Sequence, residues 1–294
     1  MKVPLLDVAI ELTNHCQLKC KMCWSQSPKL NPPRPKGYMS FKLFKQIVDE
    51  LKTYWESFPV YHKPHGKRAP FTICLSFGGE SLSHPYFKQF IEYLIDTGLW
   101  CHKVIYTNGI LIDKYVDILA EHFYRIHISI HSPLNMQVID NIKLLKKKRA
   151  THGKPAIFST IVYNEFTQST LPTAIQKVNP FVDILSGQRV ITEDLRYADN
   201  YQRPHKCEFP FYYMAILWNG DTLPCCRILS SGSFSMGNIK DGLENVWNNK
   251  KYEDLRNGQT KGYPCEGCKI SQGLLNPLHL QHAIYEGSPT IKQL

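Results

Sequence analysis

Three cysteines stand close together near the amino end: Cys16, Cys20 and Cys23, with three and two residues between them. Spacing this tight lets a short loop wrap several thiolates around one inorganic core, as iron–sulfur clusters are held. A four-iron cluster ordinarily takes four cysteines. Three leave one iron without a protein ligand, and an open coordination position is where a substrate binds a metal. Two other readings compete. Positions 0, 4 and 7 share one helical face, which would make these buried packing residues, but TNHCQLKCKMCW carries no apolar stripe to accompany them. A zinc ion with His15 or another residue as fourth ligand is the second. Five more cysteines lie far downstream: Cys207, the pair Cys225 and Cys226, and Cys265 and Cys268 in a CxxC. A CxxC suits zinc as well as iron–sulfur.

The rest of the composition sets the frame for these groups. The chain has 294 residues, 43% of them hydrophobic and 12% aromatic, which is enough for one large core or two modest ones and excludes intrinsic disorder. No window approaches the ~18 uninterrupted apolar residues of a membrane span, and MKVPLLDVAIELTNHC offers no cleavage site, so a cytoplasmic protein with no membrane partner is expected. Ten cysteines in that setting favour metal ligation or catalysis over disulfides. Lys and Arg number 35 against 25 Asp and Glu, a net charge of +10 that concentrates anionic partners, nucleic acid among them. Lys146 to Arg149 form one basic run, read as a solvated helix end. His62, Lys63, His65, Lys67 and Arg68 form another, read as a solvated loop.

Six β-branched runs alternate with helical patterns. The strands are expected at Val8 to Leu12, Phe71 to Ser76, Lys103 to Thr107, Arg125 to Ile130, Pro155 to Val162 and Asp183 to Val190. The helices are expected at Ser40 to Trp55, Pro85 to Asp96, Asp113 to Glu121, Leu134 to Lys148 and Thr170 to Val178, with Ser40 the most conventional N-cap. Six parallel strands fall short of a closed eight-stranded barrel, leaving a partial barrel or an open doubly wound sheet. In either, ligands gather at the carboxyl ends of the strands. Near residue 195 the pattern changes to Gly and Asn turns and a hairpin, Tyr212 to Trp218, Asn219-Gly220-Asp221 and Thr222 to Pro224. Two domains are therefore expected, 1–194 and a small cysteine-rich α+β domain at 195–294.

CxxxCxxC at the end of a first strand resembles the radical S-adenosylmethionine (SAM) superfamily. The resemblance implies a partial (β/α)6 barrel in which a 4Fe–4S cluster on Cys16, Cys20 and Cys23 chelates SAM and cleaves it to a 5′-deoxyadenosyl radical. Gly78-Gly79-Glu80 after the second strand looks like the GGE segment that receives the SAM amino group. Asn108, in Thr107-Asn108-Gly109, ends the third strand as in relatives and joins the cofactor-binding set. Ser129 in ISIHS falls where the family places a polar residue near the ribose or the methionine carboxylate. Met22 stands where the family has an aromatic against the adenine, and a polarizable thioether suits that role. His131 occupies the place of an Asp in many relatives. Ile161 and Val162, on the fifth strand, are left unassigned.

Cys207, Gly220, Cys225 and the Cys265–Cys268 pair resemble the auxiliary-cluster domain of the SPASM and twitch branches, the shorter twitch type above all, because KISQGLLNPLH contains no further cysteine. The resemblance implies a second 4Fe–4S cluster closed by four thiolates, with a structural zinc site as the rival. Cys226 should point away from its neighbour on an extended strand; it is either a packed residue or a thiol that gives a hydrogen atom or proton to substrate. Cys74 and Cys101 read as core thiols. The implied reaction is hydrogen abstraction from a small polar or phosphate-bearing molecule, with the auxiliary cluster taking an electron and flavodoxin or ferredoxin supplying one. A peptide-modifying maturase is the alternative, and only seven residues before the first strand tilt against it. From another class, a basic zinc protein that binds nucleic acid would be colourless and salt-sensitive.

Overall fold

The computed structural model describes residues 3–20, 23, 25, 34–58, 71–131, 134–152, 157–163, 171–189, 209–225 and 235–257. Six strands come in chain order: β1 Asp7–Ile10, β2 Thr72–Cys74, β3 His102–Thr107, β4 Arg125–His131, β5 Ile157–Tyr163 and β6 Ile184–Arg189. Between them run α1 Phe41–Glu56, α2 Phe87–Asp96, α3 Ile112–His122, α4 Met136–Thr151 and α5 Leu171–Val178. The sheet order β6-β5-β4-β3-β2-β1 never reverses, and all five pairings are parallel. A doubly wound sheet needs a reversal to place helices on both faces. Without one, right-handed crossovers put every helix on the same face, so the sheet has an outer, helix-covered face and an inner face, as in a partial barrel.

Strand alternation assigns residues to those faces. Val8, Ile10, Ile73, Ile105, Ile126 and Ile128 are fully buried under the helices. α1 supplies Phe44, Ile47, Leu51 and Trp55 to the same core; the Trp55 ring stacks on Phe71 and its Nε1 donates to the Leu5 carbonyl at 2.7 Å. Ser40 caps α1 as expected, its hydroxyl accepting from the Leu43 amide at 3.2 Å. The starts expected at His84-Pro85 and Asp113 shift. α2 begins after Tyr86, and Asp113 lies in the first turn of α3.

The basic run at the end of α4 is not merely solvated. Arg149 is 1% exposed, and its guanidinium donates to the carbonyls of Leu119, Phe123 and Tyr124 at 2.9–3.3 Å. It thereby satisfies the Phe123 and Tyr124 carbonyls just past the end of α3 and shares the Leu119 carbonyl with the Phe123 amide that caps the helix. Lys146 and Lys148 pair with Asp183 and Asp117 at 2.7 Å. The His62 to Arg68 run lies outside the described residues.

The hairpin is present as β7 Tyr213–Ile216 and β8 Thr222–Leu223, turned at Gly220, whose φ of +94° only glycine adopts readily. It continues the barrel sheet: β7 pairs in parallel with β1, Asp7 opposite Tyr213 and Ile10 opposite Ile216, while β8 returns antiparallel at the edge. Ala9, Tyr213, Ala215 and Leu217 form a second apolar cluster beneath it, separate from the helix-covered core. Two short helices, α6 Leu243–Trp247 and α7 Lys250–Arg256, follow. Trp247 Nε1 donates to the Val3 carbonyl at 2.7 Å, and the Leu243 amide to Glu50 of α1 at 2.6 Å, so residues 243–247 dock on the amino-terminal units. The boundary expected at 194/195 lies outside the described residues. No helix among the described residues is long and apolar enough to cross a membrane.

Candidate functional site

Strand β1 delivers its loop to the carboxyl end of the sheet, and a segment just before α1 fastens it there. Thr13 Oγ1 donates to the Gly37 carbonyl at 2.7 Å, Asn14 Nδ2 to the Pro35 carbonyl at 2.8 Å, and the Gly37 amide to Asn14 Oδ1 at 2.9 Å. Lys36 Nζ closes on the Asn14 carbonyl at 2.8 Å, and the His15 ring stacks on Tyr38 at 4.4 Å. The cysteines follow directly. Cys16, Cys20 and Cys23 are free and half-buried, and a turn closes from the Cys23 amide to the Cys20 carbonyl at 3.0 Å.

Burial pushes the Cys20 thiol up to about 11, and the charges of Cys23 and Cys16 push in the same direction. Burial raises Cys16 too, with Glu80 and Cys23 adding to it. Cys16 and Cys20, whose ionisation burial and neighbouring negative charge oppose, form a site short of positive charge, which a cationic iron–sulfur core supplies. Among the described residues no three His, Cys, Asp or Glu side chains converge as a single metal ion would require. Three thiols in one loop are the donor chemistry of an iron–sulfur core.

Glu80 is 3% exposed and knots three loops together. Its amide donates to the His15 carbonyl at 2.8 Å. Its carboxylate accepts from the Asn108 amide at 2.8 Å, from Thr107 Oγ1 at 3.0 Å and from the Leu82 amide at 3.2 Å. Burial lifts this carboxyl to about 7 against the pull of those donors. Asn108 reaches on toward the cysteines: its Nδ2 lies 3.7 Å from Cys16 Sγ, and its Oδ1 accepts from Gln17 Nε2 at 3.2 Å. The expected GGE segment and Asn108 are thus brought beside the cysteine loop.

The glycines owe their identity to that loop. A Cβ on Gly79 would stand 2.5 Å from the carbonyl oxygens of both Thr13 and His15, and one on Gly78 would collide with Glu11 and Arg34. That last pair was not read from the sequence. Glu11 is fully buried on the inner face of β1 and takes both guanidinium nitrogens of Arg34, at 2.6 and 3.3 Å, plus the Trp218 amide at 3.3 Å. The alternation Val8, Ile10, Leu12 against Asp7 and Glu11 was the available signal; nothing marked Arg34.

The other expected residues are spread out. Ser129 is part-buried on β4, on the inner face by alternation from Ile128 and Ile130. His131 ends that strand, its side chain outside the described residues. Met22, Cys207, Cys226, Cys265 and Cys268 also lie outside them. Cys225 is half-buried against the apolar cluster under the hairpin. Leu223 pairs with Ala215 on an antiparallel strand that runs toward the end of the sheet opposite Cys16, and Cys225, two residues past that strand, packs against the cluster that includes Tyr213. Cys74 packs against the same cluster, whereas Cys101 borders the main core and burial pushes its thiol up to about 11.

Asp7, on the inner face at that lower end, is lifted to about 7 by burial, with Arg125 opposing. A carboxyl whose folded value exceeds its unfolded value lends stability below the unfolded value and loses it as pH rises through the folded one. Asp7→Asn should therefore gain on the wild type between about pH 4 and 7, at up to ~1.4 kcal/mol per pH unit, and hold that advantage above. Urea midpoints of both proteins across this range check it; parallel curves would show that Asp7 keeps an ordinary value.

Comparison with known proteins agrees with this geometry. The Radical SAM superfamily model matches residues 10–161, and the SPASM iron–sulfur cluster-binding domain matches residues 207–269. A tungsten-containing aldehyde ferredoxin oxidoreductase cofactor-modifying protein of Pyrococcus furiosus is 21% identical, over 89% of this chain and 86% of its own. BtrN, solved with AdoMet and 2-DOIA, superposes with a TM-score of 0.59 at 17% identity, covering 87% of each chain. Streptococcus suis SuiB bound to its precursor peptide SuiA gives 0.56 at 16% identity, over 98% of this chain and 74% of SuiB. The two matched domains imply a catalytic and an auxiliary 4Fe–4S cluster, with SAM at the first. The first match alone spans just over half of the residues, and the chain belongs to the radical SAM superfamily.

Proposed function

We propose that this radical SAM enzyme is an oxidoreductase that removes hydrogen from a small polar or phosphate-bearing molecule held inside the barrel, the auxiliary cluster taking up an electron. When bound, the 4Fe–4S cluster and SAM supply a hydrogen-abstracting 5′-deoxyadenosyl radical. Cys16, Cys20 and Cys23 hold the catalytic cluster. Gly78, Gly79, Glu80, Asn108, Ser129, His131 and Met22 are assigned to SAM, and Cys207, Cys225, Cys265 and Cys268 to the auxiliary cluster. Cys226 is a candidate donor to substrate. Flavodoxin or ferredoxin is the proposed reductant, and the cytoplasm the proposed location.

One observation carries this reading: the inner face lies between the cysteine loop and Cys225. The cysteine loop sits at the carboxyl end of β1, and Cys225 follows the strand that runs toward the opposite end of the sheet. A molecule in the barrel can lose hydrogen on one side and an electron on the other, which favours oxidation or bond formation over isomerisation. Anaerobic turnover of deuterated candidate substrates, followed by mass spectrometry of 5′-deoxyadenosine, tests it. Deuterium from a small polar compound supports the assignment. Deuterium only from peptides would install the maturase reading, to which the likeness to SuiB points, and a colourless iron-free protein would overturn both.

Asn108 has a separable role as a positioning residue for Cys16. A hydrogen bond to a ligating sulfur stabilises the more negative, reduced cluster. Asn108→Ala is expected to lower the catalytic cluster's midpoint by about 20–60 mV, one net hydrogen bond spread over a one-electron couple. Redox titration followed by EPR reads the shift; an unchanged potential would leave Asn108 with its bonds to Gln17, Glu80 and the Ile110 amide and no role at the sulfur.

A further inference from the structure

The inner face of β4, with Thr160 of β5 and Ser186 of β6 beside it, is polar where a packed barrel would be filled with branched apolar side chains. On β4, Ile126, Ile128 and Ile130 go to the helices, and Arg125, His127 and Ser129 face inward. His127 Nε2 shares a hydrogen bond with Thr160 Oγ1 at 2.6 Å, and that hydroxyl meets Ser186 Oγ at 2.9 Å. The His127 ring is stacked on Tyr106 at 4.6 Å and 21°, and Tyr106 itself is 42% exposed. Burial, seconded by Arg125, holds the imidazole down to about 4, so it is neutral near pH 7. Nδ1 of His127 takes no hydrogen bond among the described residues. A fixed, neutral ring with one nitrogen to spare can both accept and donate according to its tautomer.

Depth and charge narrow what would bind there. Ser129, assigned above to SAM, stands two residues further along the same strand face, about 7 Å nearer the cysteine loop. His127 therefore occupies the next layer down, where a molecule beneath SAM must rest. The polar atoms of this wall are hydroxyls and an imidazole, which match hydroxyl groups one for one. The neighbouring cation, Arg125, stands two residues below His127 and lies over the Phe158 ring at 4.5 Å, so Tyr106, His127 and Thr160 themselves bring no positive charge to pair with a phosphate. The half-exposed ring of Tyr106 presents an apolar plate against which the C–H face of a saturated ring packs.

We propose that Tyr106, His127 and Thr160 form the substrate-recognition wall of the barrel, and that it selects a neutral, hydroxyl-bearing ring compound over its phosphorylated counterpart, with His127 making the central hydrogen bond. This rests on the proposed function and narrows its substrate class.

Equilibrium dialysis on the anaerobically reconstituted full chain with SAM present tests it, using tritiated myo-inositol and tritiated myo-inositol 1-phosphate as probes. The neutral probe is expected to bind at least fivefold more tightly. His127→Phe keeps the stack and loses the nitrogens, and should weaken its binding about tenfold. His127→Gln restores a donor and an acceptor and should recover binding to within about threefold. Should His127→Phe fail to fold by circular dichroism, Thr160→Val, which removes only the hydroxyl that holds the ring, is expected to weaken binding about fivefold. Tighter binding of the phosphate ester, indifference of both variants, or no binding of either probe overturns the inference. Reductive SAM cleavage by the wild type, measured alongside, separates the cases: its absence sinks the proposed function itself, and its presence with failed dialysis sinks only the recognition wall.

Discussion

Alanine at Cys16, Cys20 and Cys23 together is expected to reduce reductive SAM cleavage by at least about a thousandfold and to leave the visible absorption of the auxiliary cluster in place. The three thiols share one loop whose flanks are independently fastened, by Thr13 and Asn14 on the backbone of residues 35–37 and by Glu80 on the His15 carbonyl. Removing the sulfurs takes away the proposed iron ligands without untying the loop. Cys225 follows the strand that runs toward the opposite end of the sheet, and effects at sites more than ~10 Å apart with no shared partner are close to independent. Iron should fall from about eight to about four per chain, since each cubane holds four. Persistent 5′-deoxyadenosine production by the triple variant would mean that the cleaving centre is elsewhere. Loss of all colour would mean that the two centres are not separate.

The second large effect concerns the buried pair beneath that loop. Arg34→Met is expected to destabilise the protein by about 3–5 kcal/mol, because it leaves the fully buried Glu11 carboxylate with the Trp218 amide as its one remaining hydrogen-bond partner among the described residues. Glu11→Gln combined with Arg34→Met should recover a substantial part of that loss, since a neutral amide needs no counter-charge. The two singles and the double form a cycle in urea, and additive effects would show that the pair is not coupled. The consequence reaches the site. Gly78 packs against both side chains, so a loosened pair should displace the GGE turn and weaken SAM binding along with stability.

The six strands fall within two residues of where β-branched runs and turn residues place them, and the five helices within three. Those signals are local. A strand or helix is announced by its own neighbours along the chain, and the CxxxCxxC spacing is a property of a single loop. The cysteine loop, the GGE turn and Asn108 were therefore legible before any coordinates. So was their neighbourhood, because ligands in parallel α/β folds collect at strand carboxyl ends.

Other features required the chain to be folded. Arg34 comes 23 residues after Glu11, inside the Pro-rich stretch Pro28 to Pro35, and only the tertiary approach of residues 34–38 to β1 pairs them. Arg149 read as one more basic residue in a run until α4 laid it across the end of α3. RIHISIH alternates strictly, so the sequence contained a polar face at Arg125, His127 and Ser129, but what that face meets depends on how β3, β5 and β6 curve around it. The sequence by itself determined the elements, the cysteine groups and the family's chemistry, because each is written in short-range pattern. The tertiary structure alone decided the sheet order without reversal, the joining of the hairpin to β1 and the neutral imidazole inside the barrel. Those depend on contacts between residues far apart in the chain and on the dielectric such contacts create.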